Sequence, residues 1–404
     1  MPNGTPTFAF MRREWRFLSL GALIMFWTGP GQTYLISLFG DQLRQEFRLS
    51  HGDFGSIYTF ATLTSAALLW SSGRLVDRVR LGKLVAWVCV AMTLSTMAFS
   101  LVTGPISLFF GILLVRFLGQ GMMSHIAVTA MARRYIAERG RAIAIAGFGF
   151  PLGEGLFPPL IILGLGVASW QTIWLLMGLA VAVTLLPSLH FLLQRPTGQY
   201  ENTTDSLANS EIGQRQWTRG EMLRDKRFFL IAPLLMTMSA IFTGIVFHQK
   251  FIVASVKGWD FLWWSICFSG FAVCQLMGSF ATGWLVDRIS AQRIAPFVLA
   301  PFAVSIGLLG FAEHAYWVPV ILCNMGLSAG ATNPTFSSLL AELYGTLHLG
   351  AIRAAAAVLS VFASALGPVV IGWTLDAGVS MSVIALSCFI IILGTSCLAF
   401  IARE

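Results

Sequence analysis

The sequence predicts an all-α membrane protein with twelve transmembrane helices in two pseudo-symmetric bundles of six. Three observations support this fold class: the composition, the spacing of long uncharged stretches, and an internal repeat. Hydrophobic residues make up 56% of the 404 residues, and charged residues make up only 11%. Soluble globular proteins carry about 25% charged residues, so most of this chain is not expected to face water.

The uncharged stretches are long enough to cross a bilayer. A membrane-spanning helix needs about 20 mostly apolar residues to cross a hydrocarbon core about 30 Å thick. The two longest stretches are divided, at Gly104-Pro105 and around Ser169-Trp170, and therefore hold more than one helix. The twelve predicted spans are residues 17–39, 53–75, 83–102, 107–131, 141–164, 170–192, 228–252, 261–285, 293–311, 316–341, 353–374 and 380–401.

The basic residues lie mostly on one side of the predicted membrane. Twelve spans place both termini and alternate loops on the same side, where most of the arginines and lysines fall. The opposite side carries only Arg44, Arg48, Lys250 and Lys257. This is the positive-inside pattern, so we expect both termini to be cytoplasmic. The net charge of +8 then reports topology, and no nucleic-acid partner is expected.

Other sequence features favour a bacterial inner-membrane protein without enzymatic chemistry. The loops are short, and the first ten residues, MPNGTPTFAF, lack a signal-peptide pattern. All six cysteines fall within predicted spans and none forms a CxxC pair, so we expect no metal or redox role and no cofactor. HExxH and P-loop patterns are absent from the sequence. The alternative from another functional class is a membrane sensor, a protein with the same predicted helices that moves no solute.

An internal repeat relates the two halves. GRLVDR at 73–78 returns as GWLVDR at 283–288, 210 positions later, and the same offset pairs Pro158 with Pro368. Each half contains six predicted spans, an even number, so both halves have the same orientation and form a parallel repeat. The predicted divisions are a cytoplasmic N-terminus at 1–16, six-helix bundles at 17–192 and 228–404, and a polar cytoplasmic linker at 193–227.

Three short motifs resemble the signatures of a known family. GRLVDRVRLGK at 73–83 lies between the second and third predicted spans, and its copy GWLVDRISAQR at 283–293 lies between the eighth and ninth. RFLGQG at 116–121 lies in the fourth span. These motifs resemble the loop motif and the arginine motif of the major facilitator superfamily, a large family of secondary transporters. The resemblance covers nearly the whole chain and implies solute transport by alternating access.

The loop motif also implies a conformational latch between the halves. Its glycines allow a helix end to approach another backbone closely, and its aspartates can cap the N-terminus of a neighbouring helix. Its arginines can lie at the headgroup level or pair across loops. The alternative is that these charges only set topology. The candidate latch residues are Gly73, Asp77, Arg78, Gly283, Asp287 and Arg288.

Two charges lie inside predicted spans at a similar depth. Arg116 in the fourth span and Glu154 in the fifth lie at similar distances from the outer ends of antiparallel neighbours. Because an unpaired charge there costs at least ~2.5–3.5 kcal/mol, we expect an ion pair that faces the bundle interior. The repeat aligns Glu154 with Ser364 and places Arg116 near Met325, so the fold does not require the pair. We interpret it as a substrate or proton site rather than a packing contact.

Further polar candidates occupy a break in the first span and the matching region of the seventh. In GPGQT at 29–33, Pro30 leaves backbone carbonyls free to face a cavity, and FHQK at 247–250 lies at the corresponding place. Lys250 can instead extend to the membrane interface, and packing explains His248 as well as proton transfer does. With one amide from the tenth span, the candidate solute ligands are Gln32, Thr33, Tyr34, His248, Gln249, Lys250 and Asn333.

The candidate groups favour a secondary active transporter for a small organic anion. Arg116, Lys250 and His248 outnumber the single acid Glu154, which favours a carboxylate solute and leaves Glu154 or His248 to carry a coupled proton. The alternative is proton-coupled export of amphipathic drugs or metabolites. GFGFPLGEGLFPP at 147–159 partly resembles the glycine–proline motif of antiporters but departs from it, so it does not indicate drug efflux. We expect the solute, a proton and the bilayer as partners of a monomer.

Overall fold

The computed structural model describes residues 7–72, 81–135, 138–193 and 216–402. Within these residues the chain is helical apart from short connections, and no β-strand occurs there. The helices of the first half are α1 (Thr7–Phe26), α2 (Gly40–Phe47), α3 (His51–Ser72), α4 (Leu81–Phe99), α5 (Pro105–Val115), α6 (Ser124–Arg134), α7 (Arg139–Gly147), α8 (Gly149–Leu165) and α9 (Trp170–Leu193). Those of the second half are α10 (Lys226–Phe247), α11 (Phe261–Ile289), α12 (Ala300–Phe311), α13 (Val318–Tyr344), α14 (Leu349–Asp376) and α15 (Met381–Ile401).

Among the described residues, helices occur within each predicted span, and residues 73–75 of the second predicted span lie outside them. The first span runs from α1 through a break to α2, and the fourth consists of α5, a π-helical turn at Arg116–Met123, and α6. The fifth span consists of α7 and α8. By length and composition, nine helical segments of the described residues are long and apolar enough to cross a membrane. The all-α membrane class that the composition predicts is therefore confirmed.

Contacts between Cα atoms divide the chain into two compact units. Of the described residues, the first unit holds 7–47, 60–72, 81–135 and 138–193, and the second holds 48–59 and 216–402. The short segment 48–59 belongs to the first half in sequence, and the repeat does not predict its grouping with the second unit.

Specific contacts hold the segment 48–59 in the second unit. The Tyr58 ring lies 4.5 Å from the ring of Phe247 on α10, measured between centroids. The Thr59 hydroxyl donates a hydrogen bond to the carbonyl oxygen of Ala365 on α14 at 2.5 Å. The segment therefore packs on two helices of the second half.

Two predicted helix N-termini are confirmed. The S-x-x-D pattern at Ser50 predicts a capping box, and the backbone N–H of Asp53 donates to Ser50 Oγ at 3.0 Å while that of Ser50 donates to Asp53 Oδ2 at 3.1 Å. The T-x-x-E pattern at Thr218 predicts a second one. There the backbone N–H of Thr218 donates to Glu221 Oε2 at 2.7 Å, and that of Glu221 donates to Thr218 Oγ1 at 3.3 Å.

Glycines let α11 and α13 pack backbone to backbone in the second unit. A Cβ atom placed on Gly330 would overlap the carbonyl oxygen of Gln275, and one placed on Gly278 would overlap that of Leu327. Small residues at helix interfaces allow this close approach in membrane proteins. The small-residue stretch NMGLSAGATNP at 324–334 predicts close packing, and the structure confirms it.

A carboxylate joins the basic ends of α1 and α6. Glu14 accepts hydrogen bonds from Arg134 Nη2 at 3.2 Å and from the Tyr135 hydroxyl at 3.0 Å, and Arg13 Nε lies 3.3 Å from its Oε1 atom. Glu14 precedes the first predicted span, which begins at residue 17. Partial burial alone would raise the pKa of Glu14, but the bonds from Tyr135 and Arg134 and the charges of Arg134 and Arg13 lower it below its usual value.

Gly330→Ala is expected to lower the stability of the protein by about 1–3 kcal/mol, because the added methyl group overlaps a backbone oxygen of α11. Gly307→Ala in α12 is the matched control, since a Cβ there meets no atom within 4 Å. That change should be neutral or stabilising, because alanine favours helix more than glycine does. Thermal unfolding in detergent measures both, and equal melting temperatures for the two variants would contradict the packing account.

Glu14→Gln is expected to lower stability at pH 7 by about 1–2 kcal/mol, because hydrogen bonds to a charged group are lost. The pKa of Glu14 is lowered in the folded state, so its contribution is present above the unfolded value of about 4.3 and is lost as pH falls through the folded pKa. Melting temperatures of wild type and variant should therefore converge in acid. Glu313→Gln, at an exposed glutamate, is the control. If the difference in melting temperature between wild type and Glu14→Gln persists in acid, the stabilising role of the Glu14 carboxylate is contradicted.

Candidate functional site

A break in the first span forms one wall of the candidate site. Helix α1 ends at Phe26, and a 3₁₀ turn at Gly29–Gly31 and a helical turn at Thr33–Ile36 follow. Pro30 cannot donate a backbone hydrogen bond and occupies the first turn, where none is needed. The backbone at Gly31 lies against the fourth span, since a Cβ there would overlap Val115 O and approach the Gly119 Cα within 3.1 Å. Only glycine fits at this crossing.

Hydrogen bonds from Arg116 connect the broken segment to the fourth span. The Arg116 side chain is only 2% exposed and begins the π-helical turn Arg116–Met123. Its Nη1 atom donates to the Gly31 carbonyl oxygen at 3.4 Å and to Thr33 Oγ1 at 3.5 Å. π-Helical turns occur frequently at functional sites. The arginine thus binds a carbonyl oxygen that the break in the first span exposes.

Glu154 lies in α8 without the expected cation. The residue is 3% exposed, and its Oε2 atom is buried and accepts no hydrogen bond within the described residues. The ion pairs of those residues do not include one between Glu154 and Arg116. The predicted ion pair is therefore wrong. The Arg116 guanidinium instead donates a hydrogen bond to the Gly31 carbonyl oxygen.

Aromatic rings pack together where α8, the helix that carries Glu154, meets the broken segment. The Phe157 ring lies 4.8 Å from the ring of Phe26 and 5.5 Å from that of Trp27, measured between centroids. The Tyr34 ring, 3% exposed, lies 6.4 Å from the ring of Phe150 in α8, measured between centroids. The structure therefore places Tyr34 of the broken segment against the helix that carries Glu154.

Of the other first-span candidates, Thr33 contacts Arg116 and Gln32 is buried. Gln32 is 8% exposed and precedes the turn Thr33–Ile36, where its backbone N–H donates to the Gly29 carbonyl oxygen at 2.8 Å. Four predicted residues, Arg116, Thr33, Tyr34 and Glu154, thus lie around one break in the first unit.

The candidates of the seventh span lie in the second unit and hold its helices together. The His248 ring, 3% exposed, has its Nε2 atom 2.8 Å from the Pro368 carbonyl oxygen on α14. Gln249 Oε1 accepts a hydrogen bond from Trp264 Nε1 at 2.8 Å. Lys250 is half-buried, and Asn333 on α13 is exposed. Both short bonds favour a packing role for His248 and Gln249.

Sequence reasoning missed a carboxylate that caps α3. Asp376 accepts hydrogen bonds from the backbone N–H groups of His51 at 2.9 Å and Gly52 at 2.6 Å. The His51 ring also lies 5.4 Å from that of His248. A signal was present, because an aspartate in the last turn of a helix opposes the helix dipole. Such an aspartate at the end of α14 indicates a partner elsewhere.

The latch candidates are only partly within the described residues. Gly73, Asp77 and Arg78 lie outside them. A Cβ at Gly283 meets no atom within 4 Å, so the close helix approach that the motif implies does not occur at this position. Asp287 and Arg288 are both exposed. The Arg288 guanidinium lies 4.0 Å from the centroid of the Trp284 ring.

A glutamate of α13, rather than Asp287, caps the helical turn Ala291–Ile294. Glu342 accepts hydrogen bonds from the backbone N–H groups of Ala291 at 2.8 Å and Gln292 at 3.1 Å, and from the Ser290 hydroxyl at 2.7 Å. The loop after α11 is therefore tied to α13 of the same unit.

A serine-hydrolase pattern, GxSxG, does occur in the chain as GLSAG at 326–330. Ser328 is fully buried within α13, and its Oγ atom accepts a hydrogen bond from the backbone N–H of Phe302 at 3.0 Å. A nucleophile elbow needs an exposed serine on a strand-to-helix turn. The pattern here is a packing feature of two helices.

Comparisons with known proteins agree with this architecture. The sequence profile of the Major Facilitator Superfamily matches residues 17–368. Monocarboxylate transporter 13 of Rattus norvegicus is 26% identical over 227 residues, 54% of this chain and 49% of that protein. The hexuronate transporter of Escherichia coli (strain K12) is 22% identical over 264 residues, 59% of each chain. The matches thus span about half the length of these relatives.

Solved structures share the fold. The nucleoside transporter NupG superposes with a TM-score of 0.71 at 15% identity, covering 96% of this chain and 98% of that one. A bacterial homologue of the human lysosomal transporter Spinster, in an inward-facing and unoccupied conformation, gives a TM-score of 0.66 at 13% identity, covering 99% and 96%. At these identities the likeness concerns the fold alone.

Asp376→Ala is expected to destabilise the protein by about 1–2 kcal/mol, the usual cost of losing a side-chain cap at a helix N-terminus. Asp287→Ala is the matched control, since this aspartate is exposed and does not cap the adjacent turn. Thermal unfolding and the protease sensitivity of α3 measure the effect. If the Asp287 variant loses as much stability as the Asp376 variant, the carboxylate is not a cap.

Proposed function

Because the chain belongs to the major facilitator superfamily, and is thus a transporter of small-molecule solutes rather than an enzyme, we propose that it moves a small organic anion together with a proton. Glu154 carries the proton in this proposal, and Arg116 attracts the anion. Both termini face the cytoplasm, the protein works as a monomer, and the membrane is a bacterial inner membrane. The positive-inside distribution of basic residues supports the orientation.

The observation that carries the proposal is the isolation of the Glu154 carboxyl. The side chain is 3% exposed, its Oε2 atom has no hydrogen-bond partner in the described residues, and no cation pairs with it there. An ionised carboxylate in such surroundings loses its hydration without compensation. A bound proton removes this cost, and release requires water to reach the group. Exposure that changes with alternating access would therefore couple proton movement to transport.

The surroundings of His248 favour Glu154 as the proton carrier. The Nε2 atom of His248 lies 2.8 Å from the Pro368 carbonyl oxygen, so a proton on this nitrogen is held by a fixed acceptor. Glu154 lacks a comparable hydrogen bond at Oε2. The carboxyl is thus the freer group to exchange a proton.

Two observations support an anionic solute. Arg116 lies at the break in the first span, where it donates to Gly31 O at 3.4 Å and to Thr33 Oγ1 at 3.5 Å, and arginine binds a carboxylate strongly and in a bidentate manner. The two curated relatives described above are named for monocarboxylates and hexuronates, which are carboxylate-bearing solutes.

The aromatic rings between the first span and α8 support a second candidate, the proton-coupled export of amphipathic cations. Phe26, Trp27 and Phe157 pack together where α8, which carries Glu154, meets the first span. Aromatic faces attract cations, and an ionised Glu154 would pair with one. The two candidates differ in the charge of the solute and therefore in which residue it needs.

Transport in proteoliposomes tests the proposal. Glu154→Gln should reduce solute accumulation driven by a proton gradient tenfold or more. The variant should still exchange solute without a gradient, because the neutral amide mimics the protonated acid. Glu313→Gln, at an exposed glutamate, is the control and should keep both activities. Unimpaired gradient-driven uptake by the Glu154 variant would contradict proton carriage.

Arg116→Gln and Arg116→Lys test the charge of the solute. Loss of one charge-assisted contact should raise the KM for carboxylates about tenfold or more, with partial recovery in the lysine variant. Arg353→Gln, at an exposed arginine, is the control. If carboxylates are not transported and lipophilic cations are, with dependence on Glu154 and not on Arg116, the export candidate replaces the anion proposal.

A further inference from the structure

The basic ends of α1, α6 and α7 carry an unusual excess of positive charge. Residues 12–16 and 133–141 contain seven arginines and two glutamates. The corresponding stretches of the second half, 219–227 and 343–353, contain five basic residues and two acidic residues. The excess of basic over acidic residues is therefore five in the first half and three in the second.

Both glutamates of this region are already engaged by arginine. Glu14 accepts from Arg134 and from Tyr135, and Glu138 Oε1 lies 4.0 Å from Arg13 Nη2. The seven arginines of residues 12–16 and 133–141 exceed the two glutamates by five, so these stretches carry a net positive charge. Arg12, Arg139 and Arg141 are exposed.

Exposed apolar side chains accompany these arginines on α1. Trp15 is 50% exposed and Met11 is 42% exposed, and their spacing of four residues puts them on one face of the helix. Phe10 and Phe17 are buried against Met131 and Tyr135 in the core of the same region. Helix α1 therefore fills its packing face with other rings and leaves a tryptophan outward beside basic residues.

We propose that the surface formed by residues 11–16 of α1 and the arginines of residues 133–141 binds the headgroup of an anionic phospholipid. Tryptophan prefers the boundary between headgroups and acyl chains, and clusters of four to eight basic residues beside a membrane helix bind anionic lipids. The arginines contact the phosphate, and Trp15 with Met11 lies against the upper acyl chains. Residues 219–227 of the second half carry a smaller excess of basic residues and contain no tryptophan, so the lipid prefers the first unit.

Native mass spectrometry of the full chain in detergent tests this inference, with phosphatidylglycerol and phosphatidylcholine titrated separately. Removal of one arginine should weaken phosphatidylglycerol binding about fivefold, which corresponds to about 1 kcal/mol for each basic residue near an anionic surface. Arg139→Gln/Arg141→Gln should thus weaken it about 25-fold. Trp15→Ala should weaken it as well, and phosphatidylcholine binding should be the same in all variants.

Arg219→Gln/Arg224→Gln is the matched control, because it removes two exposed arginines from the same side of the second half. This variant should bind phosphatidylglycerol within twofold of wild type. Equal losses in the two double variants, or none in either, would overturn the proposal. If inorganic phosphate binds as tightly as phosphatidylglycerol, the proposal is overturned too, because the surface would then recognise a free anion. Unchanged melting temperatures in phosphatidylcholine nanodiscs establish that the variants are folded.

Discussion

The backbone contact between the broken first span and the π-helical turn Arg116–Met123 sets the geometry of the candidate site. Glycine at positions 31 and 119 lets two main chains meet, since a Cβ at Gly119 would lie 3.0 Å from Thr28 O and 3.2 Å from Gly31 Cα. The break exposes the Gly31 carbonyl, and Arg116 binds it. The Oε2 atom of Glu154 is buried without a hydrogen-bond partner among the described residues. The proposed proton chemistry of Glu154 follows from that arrangement.

The second unit provides an internal comparison. It has the same transmembrane architecture with neutral groups at the equivalent places: Met325 is 1% exposed, and the Ser364 hydroxyl donates to the Val361 carbonyl oxygen at 2.9 Å. Glycine contacts bring its helices together, as at Gly367 on α14, where a Cβ would overlap the Ala240 carbonyl oxygen on α10. Close helix packing in this fold therefore needs small residues but no buried charge. Helix packing therefore does not account for the charges of the first unit, and for this reason we propose a functional role for them.

Most of the fold follows from the sequence, because a membrane imposes strong constraints on composition. Long uncharged stretches predict the helices, the two capping boxes predict helix starts at residues 51 and 219, and small residues predict the α11–α13 contact. Depth also follows from counting residues, which places Arg116 and Glu154 at one level. Whether two side chains meet depends in addition on how each helix is rotated about its axis. Each residue of an α-helix turns the chain by about 100°, and a π-helical turn inserts an extra residue.

The prediction of an ion pair was wrong for this reason. The π-helical turn begins at Arg116 itself, and hydrophobic periodicity does not reveal where it begins. The Asp376 cap and the grouping of residues 48–59 with the second unit have a similar explanation. They depend on contacts between segments more than 300 residues apart in sequence, which no local pattern encodes. Of these contacts, only the Asp376 cap has a signal in the sequence, namely a carboxylate at the end of a helix where the dipole disfavours it.

The protonation state of Glu154 tests the central claim most directly. Infrared difference spectroscopy of the reconstituted protein at neutral pH, wild type minus Glu154→Gln, isolates the carbonyl stretch of a protonated carboxylic acid. The account predicts a band that is present in wild type, absent in the variant, and lost as the pH is raised. A spectrum that shows only the carboxylate vibrations of an ionised Glu154 at neutral pH would contradict it, and the buried carboxyl would then need a cation that the structure does not place beside it.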